Sequence, residues 1–237
     1  MEYKYELHCH TKEVSRCGKI SVEELVKKYR NAGYSGIVLT DHYSPMTFNP
    51  NELFSKTKAI SHYLKAYREA KKYSDENFTV LLGMELRFYG TVNDYLVYGV
   101  NEKMLYRLPF LLPLYLKKAS RLLHNEGCLI IQAHPFRKFI TRADPQYIDG
   151  VEVFNGKNTP DKNEKAIKWA EQENFSIKTS GSDCHNDSNF ALGGIITEEP
   201  IRNNDDLIRI LKSGKYKLIS SEKVCSNEQT FSLDREL

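Results

Sequence analysis

The stretch Tyr5-Glu6-Leu7-His8-Cys9-His10-Thr11 places two histidines two positions apart. In an extended backbone, residues two apart face the same side, so both imidazoles aim at one point. Neutral imidazoles sharing a point are good ligands for zinc, iron or manganese. Further donors of this kind follow: His42 in Thr40-Asp41-His42, Glu85 after Gly83-Met84, and His134 in Ala133-His134-Pro135. Asp183 and His185 close the series in Gly181-Ser182-Asp183-Cys184-His185. Imidazoles mixed with carboxylates make the donor set of a multinuclear transition-metal site, in which Glu85 and Asp183 can each bridge two cations.

Such residues need elements that bring them together. Each follows a short apolar run that reads as a strand, among them Gly36–Thr40, Phe78–Leu82, Leu129–Ala133 and Phe175–Ser180. Tyr95–Gly99, preceded by Asn93-Asp94, and Gly150–Phe154, ending at Asn155, read as two more. Helical patterns lie between them. Ser21 with Glu24 forms a capping-box signal for a first helix that Gly33 stops. A long helix is expected from about Glu52 to Tyr73, another from near Pro113, and others near 161–173 and 204–212. Alternating strands and helices predict a parallel sheet with helices outside, and about seven strands suit a closed barrel. In a parallel barrel the C-terminal strand ends share one mouth, where barrel enzymes keep their chemistry. Five of the seven histidines fall there, while His62 and His124 fall in helices and are assigned to surface or packing roles.

The chain has 237 residues and a net charge of +3, with no composition shift to divide it. A single domain over 1–237 is expected, with a polar tail at 221–237. The near balance of charge makes nucleic acid an unlikely partner. No apolar run approaches the roughly 20 residues that cross a bilayer, and the polar start is unlike a signal peptide, so no membrane partner and a cytoplasmic location are expected. Cysteines at 9, 17, 128, 184 and 225 show no paired spacing and argue against a disulfide framework. Alternation turns Cys9 and Cys184 away from the ligands, toward packed protein.

The ordered set Leu7-His8-Cys9-His10-Thr11, Thr40-Asp41-His42, Gly83-Met84-Glu85, Ala133-His134-Pro135 and Gly181-Ser182-Asp183-Cys184-His185 resembles the motifs of the PHP (polymerase and histidinol phosphatase) family. The resemblance implies a distorted (β/α)7 TIM-like barrel with two or three divalent metal ions, Zn, Mn or Fe. It implies that His8, His10, Glu85 and Asp183 hold one ion. Glu85 would bridge to a second ion held also by His134, and His42 and His185 would hold a third. Two positions depart from the family pattern. Members have an Asp or His near a glycine after the first motif; here Glu13 is the favoured carboxylate, with Cys17 open as a thiolate ligand. Members also carry a histidine in the strand after Glu85; here Tyr95-Leu96-Val97-Tyr98 offers none, so the second ion loses a ligand unless Asp94 replaces it.

The family implies hydrolysis of a phosphate ester. A water bridging the metals would lose its proton near neutral pH and attack phosphorus in line. Arg137 is expected to clamp a phosphate, with Arg87 a weaker candidate. Asp183 or His185 would assist proton transfer to the leaving oxygen, and Asn155 would orient substrate or close a turn. The expected activity is a metal-dependent phosphoesterase acting on a small phosphorylated metabolite or nucleotide. The alternatives are a histidinol-phosphate phosphatase, a nuclease or DNA-processing module, and a non-catalytic metal-binding protein.

Overall fold

Short β-branched and aromatic runs become strands, and the segments with apolar residues every three or four positions become helices. The computed structural model describes residues 1–220 and 224–226. The strands are β1 Tyr3–Cys9, β2 Gly36–Leu39, β3 His42–Tyr43, β4 Thr79–Leu82, β5 Met84–Leu86, β6 Tyr95–Tyr98, β7 Leu129–Gln132, β8 Gly150–Asn155, β9 Ile177–Gly181, β10 Gly194–Thr197, β11 Lys217–Ile219 and β12 Val224–Ser226. The helices are α1 Val22–Asn31, α2 Pro50–Leu53, α3 Lys56–Lys71, α4 Glu102–Arg107, α5 Leu116–Asn125, α6 Pro160–Gln172 and α7 Asn204–Ser213. Apart from β12, the polar tail 221–237 lies outside the described residues.

Two sheets form, in the orders β12-β11-β10-β1-β2-β4 and β3-β5-β6-β7-β8-β9. They meet at both seams. At one, Gly83 N donates to Leu39 O at 2.8 Å, Glu85 N to Asp41 O at 3.1 Å and Arg87 N to Tyr43 O at 3.1 Å, so the β2–β4 ladder runs on into β3–β5. At the other, His10 N donates to Cys184 O at 3.0 Å and Cys184 N to His8 O at 3.2 Å. Both sheets therefore wrap one core, which includes Leu7, Leu82, Leu96, Ile131 and Val151. Under α1, Leu25, Val26 and Tyr29 pack on Ile37, Leu39 and Val80. Each such buried side chain is worth about 1.5–3 kcal/mol relative to exposure.

The mixed α/β class is as expected, but the sheets are not parallel throughout. Strand β6 runs antiparallel to both β5 and β7. Only residues 87–94 join β5 to β6, too few for a crossover, which needs a dozen or more. The reversal starts β6 at the mouth and leaves Asp94 there. The expected long helix is two: Asn49 and Glu52 close a capping box on α2, and Ser55, extended at φ −138°, starts α3 afresh. The helix expected near Pro113 begins at Leu116, and α4 was not anticipated.

Candidate metal centre

Strand β1 carries His8 on a distorted register, and His10 follows one residue past its end. The strand's pairing with β2 shifts between Glu6 and Cys9, as a bulge does, and bulges re-aim side chains near active sites. The Glu6 carboxylate accepts from Leu7 N at 3.0 Å and His8 N at 2.9 Å within that irregularity. It also accepts from Ser182 N, Ser182 Oγ and Tyr29 Oη, tying β1 to the loop after β9 and to α1. Burial outweighs these hydrogen bonds and pushes the Glu6 carboxyl up to about 7.

Each ring of the His-x-His pair is held from behind. His8 Nδ1 lies 2.7 Å from Glu152 Oε1. His10 Nδ1 lies 3.2 Å from Ser15 Oγ, which donates to Asp41 Oδ1 at 2.7 Å. A carboxylate behind an imidazole fixes its tautomer and orientation and raises its basicity as a ligand. The Nε2 atoms of both rings are left pointing inward, buried and without a hydrogen-bond partner. Unsatisfied buried polar atoms are rare in native proteins and call for an explanation such as an ion.

Those atoms converge. His8 Nε2 is 3.4 Å from Glu85 Oε1 and 3.7 Å from Asp183 Oδ1, while His10 Nε2 is 3.5 Å from Glu85 Oε2 and 3.4 Å from Asp183 Oδ1. Two donors at about 2.1 Å on a tetrahedral ion stand about 3.4 Å apart, so this set fits a divalent metal. His134 Nε2 lies 3.0 Å from Glu85 Oε1, and His42 Nδ1 lies 2.5 Å from Glu85 Oε2. The overlapping groupings are His8 with His10 and Glu85, His8 with His134 and Asp183, His10 with His42 and His185, and Glu85 with Asp94 and His134. Glu85 thus belongs to two of them.

Backbone strain marks the same place. His134 (φ 32°) and Asp183 (φ 50°) occupy the left-handed region, which costs a non-glycine residue about 1–3 kcal/mol and clusters at functional sites. Beside them, a Cβ on Gly181 would stand 2.3 Å from His8 Cβ and 2.8 Å from Glu152 Oε1. Glycine there lets β9 close against the first histidine.

The electrostatics follow from carboxylates and imidazoles sharing one dry space. Burial opposes charge on His8, yet Glu152, Asp183 and Glu85 outweigh it and hold its pKa well above the usual value. Burial likewise opposes ionisation of Glu85 and Asp183, but the neighbouring histidines, with Arg137 beside Asp183, hold both well below the usual carboxylate range. His10 goes the other way: burial and the neighbouring His185 and His42 keep it neutral. Against burial, Asp183 and Cys17 raise His185 to about 9.

The remaining expected residues divide. Arg137 Nη2 donates to Asp183 Oδ2 at 2.7 Å and Asn155 Oδ1 at 2.9 Å, so it stands at the mouth. Asn155 Nδ2 donates to Glu152 Oε2 at 2.9 Å and Asp183 Oδ2 at 3.3 Å. Arg87 is engaged elsewhere, pairing through two nitrogens with Asp94 at 2.6 and 2.5 Å. Asp94 Oδ2 still lies 3.8 Å from His134 Nε2. Glu13, the favoured carboxylate of the first loop, is not brought to the cluster. Its oxygens accept from Val22 N at 3.1 and 3.3 Å, capping the first turn of α1. A free amide at a helix start attracts a carboxylate, and that contact wins. Cys17 lies instead at the cluster, with Sγ 3.2 Å from His42 Nε2. Burial raises its thiol, but hydrogen bonds with His185 and His42 bring it down to about 6. His62 and His124 pair with Glu52 and Asp149.

Sequence reasoning missed Glu6, Ser15, Asp41, Glu152 and Lys157. A charge inside the apolar run Val151-Glu152-Val153 was a usable signal, because buried carboxylates are almost always paired. Glu6 shares the alternation of His8 and His10. Lys157, whose Nζ lies 3.3 Å from His185 Nδ1 and 3.9 Å from Asp183 Oδ1, carried no such signal.

The PHP domain model matches residues 6–193. The chain belongs to the PHP domain family. Solved structures with the same fold include a two-domain protein from Bacteroides vulgatus described as containing a PHP-like metal-dependent phosphoesterase, with TM-score 0.68 and 15% identity. That match covers 94% of this chain and 66% of the other, so this chain spans just under two thirds of that protein. A putative metal-dependent phosphoesterase from Bifidobacterium adolescentis matches with TM-score 0.54 and 17% identity over 88% of this chain and 95% of its own. The lesion-specific endonuclease PfuEndoQ from Pyrococcus furiosus matches with TM-score 0.61 and 14% identity over 92% and 58%. No curated protein matches the sequence. This PHP domain presents clustered His, Asp and Glu donors suited to divalent metal.

Proposed function

We propose that this PHP domain is a metal-dependent phosphoesterase that hydrolyses a phosphate ester of a small metabolite or nucleotide. The observation that carries the reading is the pair of buried, unpartnered atoms His8 Nε2 and His10 Nε2, directed at one space with Glu85. Asp183 completes that set, and His134, His42 and His185 extend it to two or three ions. Bound divalent ions, Zn, Mn or Fe, supply an activated water and neutralise charge on the phosphoryl oxygens.

The chain's own residues do the rest. Arg137 offers planar donors to a phosphate beside Asp183, and Lys157 adds a second cation on the same rim. His185, close to both Asp183 and Lys157, stands on the same rim as a metal donor. Asn155 holds Arg137 and Asp183 in one network.

Among the described residues no helix is long and apolar enough to cross a membrane. Cys9, Cys17, Cys128 and Cys184 are free thiols, which suits a cytoplasmic setting. The small net charge of +3 favours a small substrate over a nucleic acid, although an endonuclease shares the fold.

The test is hydrolysis of a panel of phosphorylated metabolites by chelator-stripped protein, before and after divalent metal is restored. p-Nitrophenyl phosphate and its bis-ester separate monoesterase from diesterase. Metal-restored turnover that falls at least 100-fold in His134→Ala is the expected result, on the scale of losing a metal-site group. Turnover indifferent to metal would refute the reading.

A further inference from the structure

We propose that Cys17 is a thiolate ligand which, with His42 and His185, makes one metal position of this site selective for a thiophilic divalent ion of the zinc class over manganese or magnesium. The inference rests on the metal-dependent reading above and goes beyond it, to which ion the site takes.

The loop after β1 delivers the thiol to this place. Asp41 takes hydrogen bonds from Thr11 N and Ser15 Oγ, each at 2.7 Å, which folds the loop back on itself. His42 N then donates to Ser15 Oγ at 3.0 Å, Gly18 N to Ser15 O at 2.8 Å and Lys19 N to His185 O at 2.7 Å. Both histidine-bearing segments are thus stitched to the residues flanking Cys17. A Cβ on Gly18 would stand 2.5 Å from Thr11 O, so the turn that presents Cys17 tolerates no side chain at that position.

The donor spacing suits a metal. Cys17 Sγ is 3.2 Å from His42 Nε2. A zinc ion with Zn–S of about 2.3 Å and Zn–N of about 2.1 Å, at a tetrahedral angle, sets its S and N ligands about 3.6 Å apart. An adjustment of a few tenths of an ångström closes the difference. A second observation points to the same ligand: fully buried His10 has an unpartnered Nε2 and belongs to the group with His42 and His185. Its ring centroid lies 4.4 Å from that of His42 and 4.1 Å from that of His185.

Softness then decides the ion. Thiolate with imidazoles prefers zinc, whereas manganese and magnesium prefer oxygen donors. A carboxylate from Glu13 would have favoured the harder ions, but Glu13 is committed to α1. Cys9 and Cys184 are fully buried on other contacts and do not compete for this role.

The test uses the full chain, stripped by chelator and reloaded with Co²⁺ as a coloured stand-in for zinc. Wild type should show an intense sulfur-to-cobalt charge-transfer band that Zn²⁺ displaces. Cys17→Ser should bind cobalt at the His8 and His10 position but lose the band. Cys17→Asp should lower the preference for Zn²⁺ over Mn²⁺ by about 10-fold or more, on the scale of a lost ligand contact. Cys17 is exposed, so both variants should keep the wild-type circular dichroism. Cobalt binding to wild type without a Cys17-dependent band would overturn this inference and leave the phosphoesterase reading standing. No cobalt binding at all would overturn both.

Discussion

His8 Nδ1 lies 2.7 Å from Glu152 Oε1, with both side chains buried. The same carboxylate accepts His134 N at 2.9 Å through its other oxygen, so one residue of β8 positions two ligands from different strands. Glu152→Gln keeps the volume but cannot accept at both positions. Metal affinity should fall about 10–100-fold, the usual cost of losing such a partner. Competition with a chelator of known affinity measures this, and an unchanged affinity would count against the orienting role.

Gly181 faces His8 across the seam between β9 and β1. An alanine methyl at 2.3 Å from His8 Cβ cannot be housed without moving a strand. Gly181→Ala should cost at least the roughly 1–3 kcal/mol typical of overpacking. Urea unfolding would read the loss, and metal affinity should fall with it.

Metal binding should release protons. His8 and His42 are held well above the usual histidine value against the pull of burial, chiefly by Glu152 and Glu85 respectively. His185 is raised to about 9. A raised pKa means the proton is retained at neutral pH and must leave before the nitrogen can ligate. Affinity should therefore climb as pH rises toward 9 and fall as pH drops. Calorimetric titrations in two buffers of different ionisation enthalpy would count the protons, and a pH-independent affinity would contradict the scheme.

Glu13→Ala separates the two ligand candidates of the first loop. The carboxylate caps Val22 N at the start of α1. Its removal should cost about 1 kcal/mol of stability, as a lost helix cap does, and leave metal content unchanged. A loss of bound metal would restore Glu13 as a ligand.

Arg137→Lys keeps the charge and loses the planar fork. Only Nη2 serves Asp183 and Asn155, so the fork has further donors for a phosphate. kcat/KM should fall about 10–100-fold, equivalent to the roughly 1.5–3 kcal/mol of a charged hydrogen bond. Metal content should not change, and a lysine enzyme of full activity would remove Arg137 from phosphate binding.

Local chemistry made much of this protein readable in advance. The His8-x-His10 alternation, the strand-end positions of His42, Glu85, His134, Asp183 and His185, and the Ser21 cap of α1 depend only on neighbours in the chain. Periodicity and capping are short-range effects, so a sequence reports them directly. Contacts between distant segments were a different matter. Whether Glu13 or Cys17 reaches the cluster depends on which partner the fold brings within reach of each. Glu13 met the free amide of Val22, while the Asp41–Ser15 fold of the loop carried Cys17 to His42. The reversal of β6, the pairing of Arg87 with Asp94 and the bracing of His8 by Glu152 were also settled by three-dimensional proximity. The sequence by itself determined which donor atoms exist and that they sit at strand ends. The tertiary structure alone decided which of them share a space dry enough to need a cation, because burial and distance between remote residues are properties of the fold.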